Sequence, residues 1–325
     1  MIDSSNGLRV PDIAAIRAAA MRIAPYVHRT PVMQSRSLDA LAGAALHFKC
    51  ENLQKVGAFK ARGASNAVFS LSDADAARGV VTHSSGNHGA AIAYAARERG
   101  IAAYVVMPEN APTIKIDNVR GFGATIRFCA PTVAAREAGC AEVQREHGAT
   151  LIHPFDNADV IAGQGTAALE LLADVPGLDA IVAPCGGGGL LSGTAIAAKA
   201  LSPSIRVYGA EPANAGDAAA GFRSGRIEPL PSATTIADGL RTTLAPRTFN
   251  AIRAHVDDLR TCSEDAIVRA MRIMWERMKI IVEPSGAVPL ACLIERAFGL
   301  DPSIKRIGII ISGGNVDLDH LPWQR

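Results

Sequence analysis

The chain has 325 residues, 49% of them hydrophobic and 20% charged, with a formal net charge of +2. That is the composition of a soluble protein of one large or two ordinary domains. The 33 lysines and arginines are dispersed and nearly balanced by acids, which argues against nucleic acid or a membrane surface as a partner.

In chain order, "MIDSSNGLRVPD" lacks the basic-then-apolar sequence of a signal peptide. No apolar run approaches the roughly 20 residues that cross a bilayer. Short apolar runs then alternate with Ala-rich helical patterns. Expected strands are "ALHFK", "GVVTHS", "AAYVVMP", "ATIRFC", "TLIHPF", "AIVAPC", "IRVYGAE" and "RIGIIIS". Between them, "GAAIAYAARERG", "PTIKIDNVRGFG" and "PTVAAREAGCAEVQREHG" carry apolar residues at helical spacing and end in a glycine stop. Strand–helix alternation with continuous apolar strands predicts an α/β fold of open, mostly parallel, twisted sheets flanked by helices on both faces. The compact βα units from about Gly79 to Phe155 read as a subdomain, and "NAGDAAAGFRSGRIEPLPSATTIADGLRT" reads as a long loop, a length that implies a role. Six cysteines (Cys50, Cys129, Cys140, Cys185, Cys262 and Cys292) stand far apart without C-x-x-C. They read as reduced thiols of a cytoplasmic protein, not as a disulfide framework or a zinc site. For Cys185 packing comes before catalysis.

The strongest signal is "AIVAPCGGGGLLSGTAIAAKA", where a buried strand ends at Pro184–Cys185, four glycines follow and a helix begins near Leu190. Backbone N–H groups converging there beside a helix start make a phosphate cradle. No G-x-x-x-x-G-K-[ST] occurs, which disfavours a P-loop. A dinucleotide site is a nearer miss: Gly187-x-Gly189 is followed by Ser192 where a third glycine is wanted, and Glu211 stands near the expected ribose acid. The glycine run alone leaves NAD open.

Three further segments sit at strand ends or helix starts, where open α/β folds gather ligands. "AFKARGA" holds Lys60 between Phe59 and Ala61; "THSSGNHGAA" carries Ser84, Ser85, Gly86, Asn87 and His88; "IIISGGNVD" carries Ser312. Alone, each has a plain reading: a solvated lysine, a helix cap at Asn87, a turn serine, a structural histidine. Together with Gly186, Gly187, Gly188 and Gly189 they supply what pyridoxal 5'-phosphate needs: an amine, a donor to the ring hydroxyl, a partner for the pyridine nitrogen and a cradle for one phosphate.

These segments, in this order and over nearly the whole chain, resemble the fold-type II pyridoxal-phosphate enzymes with their tryptophan synthase β-like fold, and specifically the serine/threonine dehydratase and serine racemase group. "HPFDNADVIAGQGT" and "MKIIVEPSGA" match the same group. The resemblance implies a large cofactor-binding domain, 1–72 with 157–325, and a small substrate-loop domain, 73–156. It implies Lys60 as cofactor anchor and general base, with Phe59, Asn87, Gly186 to Gly189 and Ser312 around the cofactor. Ser84, Ser85, Asn87 and His88 would bind the substrate carboxylate, and His88 is given no proton transfer. In racemase-like members a serine at the place of Ser85 is the acid/base on the opposite cofactor face. Glu211, the carbonyl of Ala215 and Asp217 match a divalent-metal site of that group, hard oxygen ligands suited to Mg2+ or Ca2+.

The activity implied is β-elimination from a 3-hydroxy amino acid to a 2-oxo acid and ammonia, by a serine/threonine dehydratase. Serine racemase and threo-3-hydroxyaspartate dehydratase are the alternatives. Hydroxyaspartate needs a second cation, for which Arg136 and Arg241 are candidates, Arg136 by alignment with an arginine of the racemase-like group. A non-catalytic phosphate-ligand or NAD-binding protein is the rival from another class, and a homodimer is what the relatives suggest. Ala58 stands where serine is common. Ala90 replaces the glutamine of a nucleotide-effector site, so ATP activation is not expected. The end at "LPWQR" leaves no room for a regulatory domain of biosynthetic threonine dehydratases.

Overall fold

The computed structural model describes residues 8–84, 86–111, 113–230 and 233–324; Ser85 lies outside them. Among the described residues, ten strands form two sheets. In the six-stranded sheet, β1 (Val32–Met33), β2 (Ala45–Cys50), β10 (Arg306–Ile311), β7 (Ala180–Pro184), β8 (Arg206–Pro212) and β9 (Asp258–Cys262) lie side by side in that order. Every pairing is parallel except that of the short β1 with β2. The four-stranded sheet runs β5 (Thr125–Cys129), β4 (Ala103–Pro108), β3 (Val80–His83), β6 (Thr150–Leu151), parallel throughout. The chain is α/β with two mostly parallel sheets flanked by helices.

Strand alternation explains why both faces of the large sheet are covered. Ala180 and Val182 of β7 point to a core shared with α12 (Glu264–Met278) and α13 (Pro284–Ile294). Ile181 and Ala183 point to the other face, against α8 (Ala158–Asp174), α9 (Gly189–Leu201), α10 (Asp217–Ser224) and α11 (Pro246–His255). In the small sheet, Val80 and Val105 face α3 (Lys60–Phe69), α5 (Asn87–Arg99) and α6 (Thr113–Gly121), while Val81 and Val106 face α7 (Val133–His147). The remaining helices are α1 (Ile13–Ile23), packed on α8, and the short α2 (Arg36–Ala42) and α4 (Asp73–Ala76).

Seven of the eight expected strands form over most of their length, and "TLIHPF" is a strand only at Thr150–Leu151. β5 departs from the buried pattern: it is a sheet edge, and Phe128 is 42% exposed. The long 214–242 segment is not all loop, because "DAAAGFRS" within it forms α10, closed by the left-handed Gly225.

A buried ionic knot fixes the first turn of α3. Arg62, fully buried, donates to Glu51 Oε1 and Oε2 at 2.8 and 2.7 Å and to Glu170 Oε1 and Oε2 at 2.8 Å each. Lys49, also fully buried, donates to Glu170 at 2.6 Å and to the Thr30 carbonyl at 2.7 Å. Two cations and two acids balance, which is what burial of charge requires.

Candidate active site

The carboxyl ends of β3, β7 and β10 open on one cavity of about 390 Å³, lined among others by Lys60, Ser84, Asn87, Gly186 to Gly189 and Ser312. Lys60 stands at the N-terminus of α3, its Nζ 2.9 Å from the Pro154 carbonyl and 5.2 Å from the Phe59 ring centre. Burial lowers its pKa from the ordinary 10.5 to about 8, because an ammonium loses more than an amine on leaving water. The loop before it is laced to the segment after β10: Phe59 N donates to the Ser312 carbonyl at 2.9 Å, Gly314 N to the Gly57 carbonyl at 2.9 Å, and Ala58 bridges Gly313. The lysine and the serine that sequence placed 252 positions apart are thus neighbours by backbone pairing.

The glycine run is buried at all four positions and leads directly into α9. A Cβ on Gly187 would run into the Phe155 ring, and Gly188 sits at φ 84°, the left-handed region. The turn therefore presents bare backbone at a helix N-terminus, an anion site by geometry and dipole. Ser312 Oγ is buried and has no hydrogen-bond partner among the described residues.

On the facing side, Ser84 Oγ accepts from Gly86 N at 3.1 Å and so shapes the loop that starts α5. Asn87 is held from two directions. Its Nδ2 donates to Glu283 at 2.9 and 3.2 Å, and its Oδ1 accepts from Asn315 Nδ2 at 2.9 Å, which also donates to the Val56 carbonyl at 2.8 Å. Burial raises the Glu283 pKa, while the Asn87 hydrogen bond opposes the rise. His88 is buried under this loop with Nε2 3.3 Å from the Ile152 carbonyl. Burial, with Lys60 nearby, drives its pKa well below 6.5, so it is a neutral imidazole. His153 behaves alike, its pKa lowered to about 4 by burial and by His83 and Lys60, and its Nδ1 accepts from Asp156 N at 2.9 Å.

Residues 23–313 match the model of the pyridoxal-phosphate dependent enzymes. The chain belongs to that family. It is 52% identical to a serine racemase of Oryza sativa subsp. indica over 96% of this chain and 93% of that protein. It is 48% identical to a beta-hydroxyaspartate dehydratase of Paracoccus denitrificans over 97% and 99%. Among solved structures, serine racemase from Dictyostelium discoideum superposes with a TM-score of 0.91 at 51% identity, covering 94% of this chain and 99% of that one.

The residues of the cavity fit the family's pyridoxal phosphate. A buried hydroxyl without a partner, a cradle that side chains would fill and an amine of lowered pKa share one space. Arg136, in the first turn of α7, also lines it, with Nε 3.3 Å from the Thr132 carbonyl and no acidic partner among the described residues. Lys115, Asp238 and Glu283 line the cavity as well. All of these and Asn315 lie inside quoted segments, yet none was singled out as a site residue.

Glu211, Ala215 and Asp217 lie apart from this cavity, at the end of β8 and the start of α10, all buried. Glu211 accepts from Ala218 N and Ala219 N at 3.3 and 2.7 Å, yet burial and Asp217 push its pKa well above the usual range. Both Asp217 oxygens are buried without a hydrogen bond of normal geometry among the described residues. The backbone N–H groups of Asp217 and Leu244 only partly offset the burial that raises its pKa to about 6. Among the described residues no three His, Cys, Asp or Glu side chains group as metal ligands, so a cation here would need backbone oxygen as well.

Proposed function

We propose that the chain is a hydroxy amino acid ammonia-lyase, a serine/threonine dehydratase that turns a small 3-hydroxy amino acid into a 2-oxo acid and ammonia. The carrying observation is that Lys60, the neutral hydroxyl of Ser312, the glycine cradle and the loop residues Ser84, Gly86, Asn87 and His88 open on one small cavity. When bound, pyridoxal phosphate supplies an electron sink for the pair left when a proton leaves the substrate Cα. Lys60 would hold the cofactor covalently, and its Nζ would serve as the base for the substrate Cα proton; a pKa near 8 suits a base at neutral pH. The N–H groups of Gly186 to Gly189 would hold the phosphate and Ser312 Oγ would donate to the pyridine nitrogen. A neutral hydroxyl does not keep that nitrogen protonated as a carboxylate would, which favours prompt loss of the β-hydroxyl over transamination. Asn87, its amide fixed by Glu283 and Asn315, would donate to the ring hydroxyl. The substrate carboxylate would dock at the start of α5, where helix N–H groups favour an anion.

Two related readings have their own support. Relatives called serine racemases favour racemisation as an accompanying activity, with Ser85 as the acid/base on the second face. Arg136, a cavity cation without an acidic partner among the described residues, together with a beta-hydroxyaspartate dehydratase relative, favours acceptance of a 3-hydroxyaspartate. Glu211, Ala215 and Asp217 would hold Mg2+ or Ca2+, which would relieve two buried carboxylates at once. The division into 1–72 with 157–325 and 73–156 would let the small sheet close on substrate, and we place the enzyme in the cytoplasm as a homodimer. No described helix is long and apolar enough to cross a membrane.

The test is one panel: L- and D-serine, L-threonine and the 3-hydroxyaspartates, assayed for ammonia and for chirality with and without chelator. Borohydride reduction followed by peptide mapping should mark Lys60. Colourless protein that binds no B6 vitamer, or ammonia release from none of these substrates, would refute the reading.

A further inference from the structure

Lys115 and Asp238 meet at the cavity. Lys115 belongs to α6, between two strands of the four-stranded sheet, while Asp238 opens the turn Asp238–Leu240 between β8 and β9 of the six-stranded sheet. Their side chains form an ion pair, 14% exposed on the lysine and 37% on the aspartate. Among the described residues, it alone of the ion pairs joins the stretch from β3 to β6 to the six-stranded side; the others of that stretch are local or reach Asp73.

Each end of the pair rests on one of the two loops that would hold a ligand's anionic ends. Lys115 lies over Gly86: a Cβ there would meet its Cδ and Nζ at 3.3 Å. Gly86 is the residue before α5 in the Ser84–His88 loop. The Asp238 turn is fastened to the glycine cradle, because a Cβ on Gly186 would meet Leu240 Cα at 3.0 Å and the Gly239 carbonyl at 3.1 Å. Gly239 N in turn donates to Ser285 Oγ at 3.1 Å. The pair thus spans from a residue against Gly86 to the turn packed against Gly186. Partly exposed pairs are individually weak, as a contact must be if the cleft is to reopen for product.

We propose that the Lys115–Asp238 pair is a clasp, a positioning contact that closes the anion loop against the glycine cradle and sets affinity for the amino acid rather than the rate of its conversion. It rests on the reading above for the placing of the amino acid's carboxylate on the Ser84–His88 loop. The test compares wild type, Lys115→Glu, Asp238→Lys and the double exchange as holoenzymes. Cofactor absorbance comes first, then KM and kcat for ammonia release from L-serine, then hydrogen exchange of peptides 86–99 and 113–121. Each single variant should raise KM about five- to tenfold with kcat within about twofold and speed exchange in both peptides. The double exchange, which restores attraction with its poles reversed, should recover most of both. Single variants with wild-type KM and exchange, or a double variant no better than the singles, would overturn the clasp. Lys115→Gln, expected to change both readouts in the same direction but less, replaces any reversed-charge variant that does not fold. If wild type releases no ammonia from any hydroxy amino acid, the ammonia-lyase reading fails, and the exchange comparison still decides the clasp.

Discussion

The two walls of the cavity are built differently. On the cradle side, β7 is buried along its whole length and α9 through ten consecutive residues, Gly189 to Ala198. On the loop side, α5 is buried from His88 to Ala96, but the outer α6, which carries Lys115, buries only Val119, and the edge strand β5 buries no residue fully. Local opening follows the amount of buried apolar contact, so the wall that would grip the cofactor is stiff throughout and the wall that would meet substrate is looser in its outer layer. The contrast suits a permanent tenant on one side and a visitor on the other.

The hardest blow to the stiff wall is at its reactive group: Lys60→Ala should lower deamination by roughly a thousandfold or more while the protein still folds, checked by ammonia release and circular dichroism. Arg62→Ala tests whether that wall needs its ionic knot. Removing Arg62 strands the fully buried Glu51 and leaves Glu170 to Lys49 alone, and should destabilise by about 3–5 kcal/mol in urea unfolding. Acid probes the seam between the walls. His88 and His153 are held neutral by burial, so the unfolded chain takes up protons near pH 6.5 before the folded one does. The histidine contribution to stability should therefore be intact above about pH 6.5 and lost toward pH 4, by of order 1–3 kcal/mol after allowing for screening at the half-buried His153, while the raised carboxylates Glu211, Asp217 and Glu283 act in the opposite sense by taking up protons in the folded chain first. His153→Gln should flatten that slope. The smallest effect sharpens the contrast most: Ser312→Ala deletes a hydroxyl with no partner among the described residues. It should change stability by less than about 1 kcal/mol while shifting the absorbance and weakening the affinity of bound pyridoxal phosphate. A large loss of stability with unchanged cofactor affinity would mean that the hydroxyl serves the fold alone.

The stiff wall was also the legible one. Continuous apolar runs such as "AIVAPC" and "RIGIIIS" mark β7 and β10, because doubly covered strands can carry nothing else. β9, "DLRTC", escaped because an edge strand mixes charge with apolar residues, and β1 because two residues make no pattern. The glycine run stood out by local oddity, and Lys60, Asn87 and Ser312 by the ordered motifs that resemble a family. Glu283, Asn315, Lys115 and Asp238 did not, since what distinguishes them is a partner brought near by tertiary folding. Arg62 was in plain view inside "AFKARGA", but nothing local tells a fully buried arginine from a solvated one.

The knot at Arg62 carries an evolutionary implication. Its acids come from the end of β2 and from α8, the latter 108 positions away, and Lys49 shares one of them. No member can be exchanged singly without leaving an uncompensated charge in the dark. Descendants of this chain should therefore keep the quartet entire or replace it wholesale, making these four positions a heritable cassette that travels with the Lys60 amine two residues upstream.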